Sequence, residues 1–384
     1  MVVSACTISN GMKIDPLKLS CQLRGKLEIK SKKKLTKETL PALYTPGVAL
    51  VCKKIIEDKK YLSCTIKNNT IAVVSDGSAV LGLGNVGPEA ALPVMEGKAI
   101  IFKELGGVNA FPIVLNTQDA DEIVEAVKAI SPTFGGINLE DIAAPKCFEI
   151  ERRLREELDI PVVHDDQHAT SIVVLAGLIN ALKVVKKKPS KIKLVISGAG
   201  AAGTAVTKLL HAFGVRNILV CDRRGIISRS NTTPGSHKKE ISEITNPQNL
   251  EGNLKDAIAG ADVFIGVSAP GILNTRDIST MSKNSIVFAL ANPVPEIYPD
   301  EAQKGGAKIT ATGRSDFPNQ INNILAFPGI FKGLLGNAIR IVTDQHKIKA
   351  AKALAGLIKK PSVGRIIVEA LDKKAVDVVA GVFQ

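Results

Sequence analysis

Two hydrophobic periods alternate along this chain. Short apolar runs at 71–75, 113–115, 192–197, 217–221, 262–267, 285–290 and 307–310 have the length and the flanking turn residues of buried strands. Helical spacing covers 49–58, 119–130, 145–158, 171–185 and 204–213, with Thr117 or Asp119 as a cap for the second of these. Strands that alternate with helices predict an α/β architecture with a largely parallel sheet. Pro145 suits a first helical position, where no N–H is needed. Glu149/Arg153 and Glu151/Arg155 are spaced i,i+4, which predicts mutual support on the exposed face of that helix. Residues 13–40 are polar and Lys-rich, an arm or a first helix, and residues 1–12 read as a loose extension ahead of the fold. Beyond Ile339 the pattern is of helices with Ala-rich faces and no chemistry of their own.

Composition narrows the class. A chain of 384 residues has room for two or three cores, and 45% hydrophobic with 23% charged residues is a globular balance. The most apolar stretch, 171–185, is interrupted by Asn180 and Lys183, so a buried helix is expected there and no membrane span. The N-terminus lacks the pattern of a signal peptide, and the expected compartment is cytoplasmic. Six Cys stand apart with no CxxC, which argues against a zinc site and a disulfide framework. The net charge of +13 is concentrated at 26–37 and 183–193. With no Trp and three Tyr there are few platforms for stacked bases, so a basic surface that draws in small anions is expected, with no nucleic-acid partner.

The chemistry gathers first between 137 and 171. Glu140-Asp141 and Asp165-Asp166 each follow a short apolar run, with the 145–158 helix between them. A strand–helix–strand unit sets two strand ends side by side and would collect these carboxylates at one point. Such a group repels itself unless a cation sits in it, and hard oxygen ligands without clustered Cys select Mg²⁺ or Mn²⁺. The competing reading is that acidic pairs cap helices and stay solvated. Lys98 stands before an apolar run that would bury it and lower its pKa toward general-base range, or else it snorkels to solvent. Tyr44, before Pro46-Gly47, is a packed ring or a phenol held at a cleft. The VLGLGN turn has GxG but no GxxG, so tight backbone packing explains it better than a phosphate loop.

The second centre is Gly198-Ala199-Gly200-Ala201-Ala202-Gly203. This GxGxxG has a strand before it, a helix after it, and Asp222 at the end of the following strand. Those contexts together predict a dinucleotide site, with pyrophosphate at the helix N-terminus and the ribose on Asp222. Arg223 and Arg224 complicate the choice, since guanidinium groups there would hold the 2′-phosphate of NADP. Two domains follow: an N-terminal α/β domain at 1–160 and a Rossmann-type dinucleotide-binding domain at 161–384. Asn292, Asn322 and Asn323 end elements that face the expected crevice, although Asn is also a common turn residue.

Taken in order, these blocks resemble the malic enzymes, specifically the short bacterial and archaeal type of NAD(P)-dependent decarboxylating malate dehydrogenase. The resemblance runs from about Leu23 to at least Gly333. It rests on YTPGVA (44–49), VLGLGNVGPEAALPVMEGKA (80–99), PTFGGINLEDIAAPKCFEIE (132–151), HDDQH (164–168), SGAGAAG (197–203), ALANP (289–293) and TGRSDFPNQINN (312–323). It implies Tyr44 as general acid, Lys98 as general base, and the divalent metal on Glu140, Asp141 and Asp166. Asp165 would support them or relay a proton, Asn292 would hold cofactor, substrate or both, and Asn323 the substrate carboxylate. Ala169 and Ser171 depart from the usual HDDQHGTA, and Val294 replaces a Glu. The resemblance also implies a homodimer, and a catalytic unit without the acetyltransferase-like extension of longer members. The expected reaction is L-malate to pyruvate and CO₂ with NAD or NADP. The alternatives are a malolactic or other 2-hydroxy-acid enzyme on the same scaffold, and a non-catalytic dinucleotide sensor.

Overall fold

The structure, a computed structural model, describes residues 14–384, so the expected extension at 1–12 lies outside the described residues. The arm begins with α1 (Pro16–Leu23), capped by Asp15, and continues to α2 (Val48–Glu57). It is held to the body by Lys26, whose Nζ donates to the Pro93 carbonyl at 2.6 Å. Most of the large apolar side chains left exposed among the described residues lie in this arm and just after it, between Ile14 and Ile66.

The first sheet is wholly parallel, in the order β2 (Asn109–Val114), β1 (Thr70–Ser75), β3 (Gly136–Leu139), β4 (Val162–His164). β1 and β3 are buried along their length, and their near-continuous apolar sequences are those of strands covered on both faces. The covering helices are α3 (Pro88–Gly106), α4 (Ala120–Ile130) and α5 (Lys146–Glu157). Asp119 caps α4 by accepting from the Asp121 and Glu122 amides. Pro145 is the residue before α5 rather than its first, after a cis Ala144–Pro145 bond.

α6 (Asp165–Val185) begins where β4 ends and carries the chain to the second sheet. It is the one helix among the described residues long and apolar enough to cross a membrane, and most of it is buried in the core of this fold. The expected start at 171 falls short because Asp165 and Asp166 themselves form its first turn, where acidic side chains suit the helix dipole. The second sheet has the order β10 (Ile309–Thr312), β9 (Ile286–Ala289), β8 (Val263–Gly266), β5 (Lys193–Ser197), β6 (Asn217–Asp222), β7 (Gly225–Ile226), parallel except for β7. Strand order reverses between β5 and β8, which opens a crevice at their carboxyl ends. α7 (Ala201–Phe213) follows β5, and α8 (His237–Ile244) follows β7.

The C-terminal helices α9 (Phe327–Gly336), α10 (Asp344–Gly356) and α11 (Lys373–Ala380) return to the first half. Phe327 and Phe331 pack edge-on against Phe102 of α3, with centroids 4.8 and 5.4 Å apart. Such pairs add about 0.5–1.5 kcal/mol each beyond their buried area. The end of the chain is therefore wedged against the element that carries Lys98.

Candidate active site

Register brings the acidic clusters together. Leu139 of β3 pairs with His164 of β4, so Glu140-Asp141 and Asp165-Asp166 leave the sheet side by side. One oxygen from each of Glu140, Asp141 and Asp166 lies within 4.8 Å of the others, a span that one small cation bridges. Asp141 sits at φ +53°, in the left-handed region that Asp tolerates better than most residues. Its amide donates to Asp166 Oδ2 at 3.1 Å, and its carbonyl accepts from the Ala79 amide. The donor set is hard oxygen throughout, and it fits Mg²⁺ or Mn²⁺.

Lys98 is drawn into the same cluster. It lies on α3 with 8% exposure, its Nζ 2.8 Å from Glu140 Oε1 and 2.5 Å from Asp165 Oδ2. The Phe327 ring covers it, 4.1 Å from Nζ to the centroid. Asn323 donates to the same Asp165 oxygen at 2.6 Å. Burial works against the ammonium, yet the Asp165 and Glu140 carboxylates outweigh it and hold the Lys98 pKa above the usual range. This corrects the expectation that burial alone would lower it. Burial also pushes Glu140 well above the usual carboxylate range, with the neighbouring acids adding to it and Lys98 opposing. Asp165 moves up for the same first reason.

Several supporting groups escaped the sequence reading. Asn138, fully buried, donates to Glu140 Oε2 at 2.9 Å, and the two-residue period of β3 puts it on the side from which Glu140 emerges. The Ser78 hydroxyl donates to Asp76 at 2.6 Å and accepts from the Ala143 amide at 2.9 Å, tying the turn after β1 to the turn that carries Asp141. Glu151 is buried rather than exposed. Its carboxylate accepts from the His164 amide, Gln167 Nε2 and His168 Nε2, so the expected pair with Arg155 does not form. The Glu149–Arg153 pair does form, at 3.5 Å.

The glycine loop lies at the end of β5. Gly198 has φ +110°, and a Cβ there would strike the Val267 carbonyl; one on Gly203 would strike the Gly198 carbonyl. Only glycine allows that turn and that approach of α7 to the strand. Ala199, Gly200, Ala201 and Ala202 form the rest of the loop and the first turn of α7. Asp222 ends β6, accepting from the Arg224 amide and from Lys238 Nζ at 2.7 and 2.5 Å. Burial raises its pKa, but Lys238 and that amide outweigh burial and hold it low. A groove of about 730 Å³ runs from Asp222 and Lys238 past His237 to Phe148, a size that suits an adenosine moiety.

Arg223 is exposed. Asn292 lies in the turn after β9, beside Gly313, and its carbonyl abuts Gly82 from the first half of the chain, so the two lobes meet there. Tyr44 is not brought to Lys98. Its side chain is 68% exposed and makes no hydrogen bond among the described residues. Lys98, Glu140, Asp141, Asp165, Asp166 and Asn323 do converge.

The chain matches the malic enzyme N-terminal domain over residues 24–155 and the malic enzyme NAD-binding domain over 168–382. It is 57% identical to an NAD-dependent malic enzyme of Geobacillus stearothermophilus, over 92% of this chain and 74% of that one. It is 53% identical to a bifunctional malic/malolactic enzyme of Bacillus subtilis, over 93% of this chain and 88% of that one. The solved NAD-dependent malic enzyme of Thermotoga maritima superposes with a TM-score of 0.93 at 49% identity, covering 96% of this chain and 99% of the other. A carboxylate cluster at paired strand ends, a buried lysine beside it and a glycine loop across the crevice thus sit on a shared scaffold, and the chain belongs to the malic enzyme family.

Proposed function

We propose that this chain catalyses the oxidative decarboxylation of L-malate to pyruvate and CO₂ with reduction of NAD or NADP. The observation that carries the reading is the buried Lys98, bridging Glu140 and Asp165 at the edge of a three-carboxylate cluster. The names of relatives at 57% and 53% identity support it. A bound dinucleotide would supply the hydride acceptor for C2, and a Mg²⁺ or Mn²⁺ ion, which Glu140, Asp141 and Asp166 would hold, would supply Lewis acidity and offset the charge that holds the Lys98 proton.

Lys98, once it has released its own proton to solvent, takes the proton of the C2 hydroxyl and becomes an ammonium again. Asp165 holds that ammonium in place, and its buried Oδ1, without a hydrogen-bond partner among the described residues, remains an acceptor for substrate. Asn323 orients a substrate carboxylate from the other side of Asp165. The Phe327 face and the surrounding core keep water from the lysine. The glycine loop binds the pyrophosphate, and Asn292 lines the nicotinamide and substrate side. Tyr44 gives its proton to C3 after CO₂ has left.

Tyr44 reaches a site only in an assembly. Its arm exposes Leu40, Leu43, Val48 and Leu50 around it, an apolar surface that a second copy of the chain would cover. The reading is a homodimer in which each arm delivers Tyr44 to the partner's crevice. All five cysteines of the described residues are free thiols, which suits the reducing cytoplasm.

The test is turnover of L-malate with NAD or NADP, in Mg²⁺, Mn²⁺ or chelator. Pyruvate and reduced cofactor should appear together and only with metal. The name of the Bacillus subtilis relative makes lactate the product to exclude. Lactate formed without net cofactor reduction would replace this reading with a malolactic one, and no turnover of malate would leave a dinucleotide sensor.

A further inference from the structure

A second groove, of about 550 Å³, opens between α5, the start of α6, α7 and the 340–347 segment. Its inner wall is cationic. Lys347 of α10 is buried, with Nζ 2.6 Å from Asp344 Oδ1 and 3.5 Å from His168 Nδ1. Arg155, at the end of α5, is half-buried and has no carboxylate within ion-pair distance among the described residues. Arg340 arrives from a separate segment, donates to the Arg155 carbonyl at 3.1 Å and pairs at 3.6 Å with the fully exposed Asp159, which lies outside the groove, so two guanidinium groups border the same space. The buried carboxylate of this wall, Glu151, is already engaged by three donors. The remaining acids are exposed at the rim and paired, Glu156 with Arg152, Glu240 with Lys208, and Asp344 with Lys347. Arg155 is thus a partly desolvated guanidinium without a carboxylate partner among the described residues, which is unfavourable and selects for an anion.

We propose that this groove binds a small polyanion, a molecule carrying two or more carboxylate or phosphate oxygens, held between Arg155, Arg340 and Lys347. The site adjoins the adenosine groove through Phe148 and His237 but includes neither Asp222 nor Lys238. It does not depend on which reaction the crevice performs. Its far wall is Thr204, Ala205 and Lys208 of α7, the helix that begins at the glycine loop.

The experiment is calorimetric titration of the full chain with inorganic phosphate and, separately, with propane-1,2,3-tricarboxylate. Saturating NAD⁺ keeps the glycine loop filled, and chelator keeps the carboxylate cluster free of metal. At least one probe should bind saturably, and the tighter of the two identifies phosphate or carboxylate as the source chemistry. Arg155→Ser and Arg340→Ser should each weaken that binding about tenfold or more, the size of a lost charge-assisted hydrogen bond. Arg155→Lys should keep part of it. Thermal denaturation of each variant checks the fold, and Arg340→Ser spares the buried Lys347–His168–Glu151 contacts. Absence of saturable binding by both probes would overturn the proposal, as would binding that survives both serine variants unchanged.

Discussion

Replacing Glu151 with Leu tests how the first turn of α6 is anchored. The carboxylate accepts from the His164 amide at 3.1 Å, Gln167 Nε2 at 3.0 Å and His168 Nε2 at 2.6 Å. A buried donor left without a partner costs about 1–3 kcal/mol. The His164 amide would bear that in full, whereas Gln167 and His168 border a groove that water reaches, so the sum is roughly 3–5 kcal/mol. Titration gives a second route. Burial raises the Glu151 carboxyl, but His168 and the His164 amide outweigh it and bring its pKa to about 2, against 4.5. Burial pushes the His168 ring down, so near neutrality it is uncharged and donates from Nε2, which favours the lower end of the range. A folded pKa below the unfolded one stabilises the protein above about pH 4.5, and that stability is lost as pH falls toward about 2; the shift corresponds to roughly 3 kcal/mol. Urea unfolding of Glu151→Leu should therefore show a deficit of about 3 kcal/mol at pH 7 that narrows as pH is lowered below about 4.5. Equal stability at pH 7, or a deficit that ignores pH, would refute the anchoring argument.

Other outcomes follow from the same contacts. If Tyr44 acts in the partner's crevice, mixing inactive Tyr44→Phe and Lys98→Ala subunits should restore about a quarter of wild-type activity, because half the dimers are mixed and each has one intact site; no recovery would place both groups in one subunit. Asp222→Ala should raise the KM for NAD more than that for NADP, and Lys238→Ala should impair NADP selectively by about tenfold. Equal responses of both cofactors would remove the ribose assignment. Ser78→Ala leaves the Ala143 amide and Asp76 without their shared hydroxyl, so a loss of about 1–3 kcal/mol in stability is expected by denaturant titration, with weaker metal binding.

Hydrophobic period placed most of the strands and α2, α4, α5, α6 and α7, because buried parallel strands and amphipathic helices leave distinct spacings, but it missed α3, where Pro93 and Gly97 interrupt the pattern, and also α8 and α9. The glycine loop was legible for a similar reason, since a turn that excludes Cβ at Gly198 and Gly203 leaves no other residue as a choice. Glu140 and Asp165 were found as a cluster because the strand–helix–strand unit fixes their meeting point. Glu151 was misplaced because its i,i+4 spacing to Arg155 is the same whether the face is exposed or buried; His168 and Lys347, distant in sequence, decide it. Lys98 shows a related limit. Its apolar neighbours left burial and snorkelling both open, and the direction of its pKa depends on two carboxylates that only the fold brings within 3 Å. Asn323, a turn residue by type, acquires meaning from its hydrogen bond to Asp165 across the two halves of the chain.

The central claim is that Glu140, Asp141 and Asp166 hold the divalent cation on which the reaction depends. Equilibrium titration of the full chain with Mn²⁺, followed by calorimetry or electron paramagnetic resonance, addresses it without reference to turnover. One tight site per chain is expected, and Asp166→Asn should weaken it by about tenfold or more while circular dichroism and unfolding show the fold retained. Mn²⁺ affinity unchanged in folded Asp166→Asn would contradict the account.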